Sequence, residues 1–245
     1  MKALIFAAGL GTRLYPITDS LPKALVPVHG KPLLEHTILK LKQAGVKDII
    51  INVHHFPDQI IDFVKSKNSF DIHIQFSDER LQLLDTGGGI KKTEHFFNDG
   101  KPFIIHNVDI LSNVDLTEVY HQHMQDADRL TTLVISYRDT YRHLLFDSEK
   151  KLHGWINTRS HQTKPFNDMD ILPYEKYAYA GIQVVSPKIF QLMKTEGDVF
   201  PIMDFYLQHC HTEKITGYVP ENLQILDVGK INSLEKAEDF FNVLL

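Results

Sequence analysis

The sequence predicts an α/β fold: a doubly wound, mostly parallel sheet followed by a smaller, more irregular α+β portion. Three observations predict it. Near-continuous apolar runs recur at residues 2–8, 48–53 and 102–110, as in parallel strands buried on both faces. Helical patterns alternate with these runs, giving strand, helix, strand, helix, strand, helix, strand over the first 110 residues. Beyond residue 130 the pattern turns to short strands divided by polar stretches.

Each element follows from local chemistry. Residues 32–44 read as a helix, with Leu34, Ile38 and Leu41 on one face, Pro32 in the first turn and Gly45 at the stop. "DIIINV" at 48–53 is the second buried strand, residues 59–67 the next helix, and "HIQF" at 73–76 a short strand. Glycines 87 to 89 open a helix that runs to about Phe97, and "PFIIHNVDI" at 102–110 is a central strand. In the second half "LTTLVIS", "HLLFD", "LHGWI" and "YAYAGIQVV" read as strands, and residues 158–175 as a polar flap. "SPKIFQLMK" and "IMDFYLQH" read as helices, and the chain closes with strand "LQILDVG" and a helix over 232–244. One domain over residues 1–245 is expected, with a core over about 1–136 and a closing portion over about 137–245. Right-handed crossovers place ligands of such a sheet beyond the carboxyl ends of its strands, so the loops after Ala8 and at 107–109 should face one crevice.

Composition narrows the function. The formal net charge is −5 with no lysine- and arginine-rich run, so a nucleic-acid partner is not expected. No stretch approaches the ~18 apolar residues of a membrane span, and the apolar start is too short for a signal peptide. The single cysteine, Cys210, excludes an intrachain disulfide and fits a reducing, cytoplasmic compartment. The 14 histidines form no metal-ligating motif; His54, His55, His121 and His123 read as surface or packed residues.

The chemistry concentrates in "AAGLGTRLYPITDSLPKAL", residues 7–25. A G-x-x-x-x-G-K-[ST] phosphate loop is absent. A dinucleotide G-x-G-x-x-G fails because its third glycine position is Leu14. What stands is G-x-G-T-R followed by P-K. Small residues Ala7, Ala8, Gly9 and Gly11, with Thr12, let backbone N–H groups approach an anion. Arg13 offers a planar fork for phosphate oxygens, Lys23 a point charge, and Pro16 and Pro22 stiffen the segment. The pattern suits a nucleoside triphosphate; the plain alternative is a tight turn with solvated charges.

The segment over residues 7–36, "AAGLGTRLYPITDSLPKALVPVHGKPLLEH", resembles the signature of sugar-1-phosphate nucleotidylyltransferases. "DTGGGI", "IIHNVDI", "YAYAGIQVVSPKIF" and "ILDVGKINSLEKAE" resemble the family's later landmarks in their order. The resemblance implies a Rossmann-like core with a sugar-binding closing portion and no carboxy-terminal β-helix. It implies attack by a phosphate oxygen of a sugar 1-phosphate on the α-phosphorus of an NTP, pyrophosphate leaving. Arg13, Lys23 and Asp109 would be catalytic, and Asp109 and Asp227 would hold Mg²⁺, which favours one or two carboxylates. Gly87 and Gly88 would approach the base and ribose, and Asn107, Gly181, Asn157 and Lys164 the sugar phosphate. Two departures mark this chain: Val108 replaces a common glycine before the metal aspartate, and "QTKPF" replaces V-x-E-K-P around Lys164.

Within the family, the short chain and "TGGG" look most like the members that use UTP and N-acetylmuramate 1-phosphate, and the resemblance implies those substrates. Guanylyl transfer to mannose or heptose 1-phosphate and thymidylyl transfer to glucose 1-phosphate are the alternatives. A cytidylyltransferase for choline phosphate, a catalytically silent nucleotide sensor and a dinucleotide-dependent oxidoreductase are further readings, the last weakened by Leu14. Relatives are monomers, dimers or tetramers, which leaves a homo-oligomer open.

Overall fold

A computed structural model describes residues 1–244. In chain order its elements are β1 (Lys2–Phe6), β2 (Pro27–Val28), β3 (Lys31–Pro32), α1 (Leu33–Gln43), β4 (Asp48–Val53), α2 (Pro57–Ser66), β5 (His73–Asp78), α3 (Asp85–Lys92), β6 (Phe103–Asn107) and β7 (Ile110–Ser112). There follow α4 (Leu116–Met124), β8 (Arg129–Ser136), β9 (Arg142–Phe146), β10 (Leu152–Asn157), β11 (Thr163–Lys164), β12 (Glu175–Val185), α5 (Ile189–Leu192), α6 (Ile202–His209), β13 (Lys214–Tyr218), β14 (Ile225–Asp227) and α7 (Ile231–Leu244). The chain divides into two compact units that interleave in sequence. Unit 1 holds residues 1–84, 104–116 and 224–245, and unit 2 holds 85–103 and 117–223.

Unit 1 carries the predicted parallel core. Its strands lie in the order β6, β1, β4, β5. β1 pairs in parallel with β4 (Leu4 beside Ile50) and β4 with β5 (Ile50 beside Gln75). Ala3, Leu4, Ile5 and Ile49 to Ile51 are at most 1% exposed, so these runs are apolar because both of their faces are covered. Each fully buried leucine or isoleucine contributes about 1.5–3 kcal/mol. On α1 the residues expected on one face, Leu34, Ile38 and Leu41, are all buried. β7 and β14 form a separate antiparallel pair, with Asp227 opposite Ile110.

Unit 2 is antiparallel for the most part, in keeping with its shorter, polar-flanked strands. β12 pairs with β9 through Glu175 to Tyr177, then with β8. The change of partner includes a register shift between Tyr179 and Gln183 that holds Gly181 at φ +76°. β9, β10 and β11 continue antiparallel, and β13 joins β8 in parallel.

Several boundaries move from their sequence-based positions. The helix expected from glycines 87–89 begins at Asp85 and stops at Lys92, with a separate 3-10 turn at Glu94–Phe96. The strand expected over 102–110 is two strands broken by a turn at Val108 and Asp109. The polar flap contains the two-residue β11. No helix among the described residues is long and apolar enough to cross a membrane.

Candidate active site

Unit 1 gathers most of the predicted residues around the loop that leaves β1. The loop turns left-handed at Gly11 (φ +67°) and enters a 3-10 turn, Thr12–Leu14. A Cβ on Gly11 would sit 2.9 Å from Thr18 Cγ2 and 3.1 Å from Lys23 Cβ, so both the conformation and the space demand glycine. Thr18 Oγ1 and Leu14 N–H donate to the Gly11 carbonyl at 2.9 and 2.8 Å, which folds the loop back on itself. Leu14 is fully buried and anchors the turn; Gly9, Thr12 and Arg13 remain exposed. The residue that breaks the dinucleotide pattern is therefore a core plug.

The amides of Ala7 and Ala8 have a partner of their own. Asn52 Oδ1 accepts both N–H groups, at 2.7 and 3.2 Å. Its Nδ2 donates to Glu79 Oε1 at 3.0 Å, and Glu79 Oε2 accepts the Leu84 N–H at 3.1 Å. Asn52 is 3% exposed and Glu79 1%. This network ties the ends of β1, β4 and β5 together. It also assigns the two alanines a small-side-chain role, since their N–H groups are engaged. Its sequence signal is a single asparagine inside "DIIINV", polar where every neighbour is apolar.

Lys23 opens the 3-10 turn Lys23–Leu25 and donates through Nζ to Asp109 Oδ2. The two side chains are only 11% and 18% exposed. Asp109 stands in the turn between β6 and β7. Its carbonyl accepts the Val228 N–H at 2.8 Å, and its neighbour Ile110 pairs with Asp227. The two aspartates expected to share a metal thus lie on adjacent segments. Asp227 Oδ1 is buried without a hydrogen-bond partner among the described residues. An orphaned carboxylate oxygen on the segment next to a second aspartate offers oxygen donors of the kind a hard divalent cation takes. Arg13 reaches the same place: a Cβ on Gly229 would lie 2.7 Å from Asp227 Oδ1 and 2.8 Å from Arg13 Nη2.

Asn107 is half-buried at the end of β6, two residues before Asp109. Its carbonyl meets His106 Nδ1 at 2.8 Å. Burial lowers the pKa of His106 to about 4, against the opposing pull of that hydrogen bond, so the imidazole is neutral at pH 7. Val108 is buried, with its N–H on the Phe6 carbonyl at 3.2 Å.

Unit 2 holds the other predicted residues. Gly87 and Gly88 are buried, and both N–H groups point to the Phe200 carbonyl, at 2.8 and 3.4 Å. A Cβ on Gly87 would meet the Phe200 ring at 2.2 Å, so packing on Phe200 requires a glycine there. Asn157 and Lys164 line one cavity of about 550 Å³, together with Arg138, Arg142, Trp155 and Asp204. Lys164 Nζ donates to Asp204 Oδ1 at 2.7 Å and lies 5.8 Å from the Trp155 ring centre. Asn157 Oδ1 accepts the N–H groups of Arg159 and Ser160 at 3.0 and 3.2 Å, holding the turn that follows β10. Gly181 occupies the β12 irregularity and is buried.

Three comparisons bear on this geometry. The family model described as nucleotidyl transferase matches residues 2–242. The chain is 28% identical over 248 residues to N-acetylmuramate alpha-1-phosphate uridylyltransferase from Neisseria meningitidis serogroup B, with 97% of each chain covered. It is 35% identical over 136 residues to a mannose-1-phosphate guanyltransferase from Aspergillus oryzae, across 55% of this chain and 37% of that protein. The crystal structure of HddC from Yersinia pseudotuberculosis, complexed with GMP-PN, superposes with a TM-score of 0.77 at 24% identity, covering 98% of this chain and 99% of that one. That last likeness is one of fold.

Proposed function

We propose that this chain, which belongs to the nucleotidyl transferase family, is a sugar-phosphate nucleotidylyltransferase that joins UTP to N-acetylmuramate 1-phosphate. A phosphate oxygen of the sugar phosphate attacks the α-phosphorus, the bond to the β-phosphate breaks, and pyrophosphate leaves. Two polyanions must meet, so positioning and charge neutralisation carry the catalysis.

One observation carries the reading: Lys23, Asp109 and Asp227 come together beside the exposed Arg13 turn, from stretches far apart in sequence. Arg13 holds the β- and γ-phosphates and stabilises the departing pyrophosphate. Lys23 neutralises charge near the α-phosphate. Exposed Gly9 and Thr12 let the loop approach the triphosphate closely. Asp109 and Asp227 would hold Mg²⁺, which when bound draws charge from the phosphates. Gly87 and Gly88 are assigned to the base and ribose, and Asn107, Gly181, Asn157 and Lys164 to the sugar phosphate. The uridylyltransferase match over 97% of both chains supports UTP and the muramate sugar. The mannose-1-phosphate guanyltransferase match keeps GTP with mannose or heptose 1-phosphate as the second reading. A cytoplasmic site of action goes with the buried, unpaired Cys210.

The test is pyrophosphate release by the purified chain with Mg²⁺, each of five NTPs and a panel of sugar 1-phosphates. Release with UTP and N-acetylmuramate 1-phosphate above all other pairs is the expected result. A higher rate with GTP would move the assignment to the second reading, and no release with any pair would sink the transferase reading.

A further inference from the structure

The unit 2 cavity is more positive than a sugar phosphate group needs. Arg138, Arg142 and Lys164 line it, against one carboxylate, Asp204. Lys164 already engages Asp204 at 2.7 Å. Among the described residues neither Arg138 nor Arg142 has a side-chain hydrogen bond or ion pair. Two guanidinium groups on a concave surface therefore await anionic partners. At about 550 Å³ the cavity lies within the ~300–1,000 Å³ range of small-molecule sites.

Strand register separates these charges. On β10, Trp155 pairs with Leu144 of β9 on one side and Lys164 of β11 on the other, while Asn157 pairs with Arg142. Two residues along a strand span about 6.7 Å and neighbouring strands lie about 4.8 Å apart, so the Cα atoms of Arg142 and Lys164 are roughly 12 Å apart. The half-buried Trp155 lies between them and offers a ring for a pyranose face. One phosphate suits one end of this row. The other end presents a rigid fork whose geometry matches a carboxylate.

We propose that Arg142, with Arg138 lining the same cavity, receives a carboxylate carried by the sugar, so that the acceptor is an acidic sugar 1-phosphate. This rests on the transferase reading and assigns to named residues the discrimination between an acidic sugar and a neutral hexose.

The test compares N-acetylmuramate 1-phosphate with N-acetylglucosamine 1-phosphate, which lacks only the carboxylate-bearing lactyl ether. Calorimetry measures binding without turnover, and pyrophosphate release gives KM and kcat. The acidic sugar should bind roughly 10- to 100-fold more tightly, the range of a charge-assisted hydrogen bond. Arg142→Gln should shrink that ratio to about 3 or less, through KM rather than kcat. Arg142→Lys should keep part of it, and neither variant should shift the melting midpoint. Equal binding of both sugars, binding of neither, or an equal loss for both in Arg142→Gln overturns the inference. Absence of pyrophosphate release alone refutes the transferase reading, while the calorimetric ratio still decides the role of Arg142.

Discussion

Removal of Asn52 should cost this fold heavily, because its side chain serves three buried partners. Replacing Asn52 with leucine strands two buried groups, the N–H groups of Ala7 and Ala8, and takes one hydrogen bond from Glu79 Oε1. Ala7 and Ala8 are 3% and 4% exposed and Glu79 is 1%, so water cannot substitute without opening the sheet. Each stranded group costs about 1–3 kcal/mol, more where a charge is involved. These costs are not additive, and Glu79 keeps the Leu84 N–H. A total of about 4 kcal/mol follows, a large part of the ~5–15 kcal/mol that holds a domain together. For a chain of this length that lowers the melting midpoint by about 8–16 °C. Thermal melting followed by far-UV circular dichroism measures it. A companion variant, Asn52→Asp, keeps the acceptor for the two amides but sets a second carboxylate against Glu79. The pair then holds one proton with a raised folded-state pKa. Its stability should be present below the ordinary carboxylate value of about 4 and lost as pH rises through the raised one. Asn52→Asp should thus approach wild-type stability in acid and fall away from it by pH 8. A leucine variant that melts within 2 °C of wild type would refute the reasoning.

Three further outcomes are expected. Asp109→Asn should lower kcat at least 100-fold in the pyrophosphate assay with the melting midpoint held within a few degrees, and full activity would remove Asp109 from the site. Gly229→Ala places a methyl 2.7 Å from Asp227 Oδ1 and 2.8 Å from Arg13 Nη2, displacing one or both, and should lower kcat/KM about 100-fold in the same assay. His106 and His123 are both held neutral by burial, each with its pKa lowered to about 4. Folded values below the unfolded 6.5 mean stability is complete above pH 6.5 and is lost as pH falls toward 4. Urea titration should show a loss of about 2–4 kcal/mol between pH 7 and pH 5, and equal midpoints would contradict it.

The parallel core was legible because burial on both faces writes itself as unbroken apolar runs, as at Ile49 to Ile51. The tight turn after β1 was legible because Gly11 has no substitute at φ +67° beside Thr18 and Lys23. The break in the strand before Asp109 was not. Hydropathy runs through it, since Ile105 and Ile110 are both buried, yet the chain leaves β6 and pairs with β14. Phe200 stayed invisible as the reason for Gly87, because their approach spans more than a hundred residues. Arg142 carried no motif; only strand register shows it opposite Asn157. Local chemistry is written in local sequence, whereas the pairing that brings Asp227 beside Asp109 is decided by long-range packing.

The resting charges of unit 1 constrain how the site can fill. Arg13, Lys23, Asp109 and Asp227 amount to two cations and two carboxylates, neutral as a set. A neutral set has little attraction for a triphosphate, whose net charge approaches −4. Lys23 is also committed to Asp109, so it cannot neutralise a phosphate without letting go. Asp109 and Asp227 would hold a divalent cation, which would supply the missing positive charge, and Lys23 would then be free to face the α-phosphate. With the amides of Ala7 and Ala8 held by Asn52, the proposed phosphate contacts would fall to Arg13, Lys23 and the loop from Gly9 onward. The Lys23–Asp109 ion pair holds part of the carboxylate charge that would otherwise repel a triphosphate.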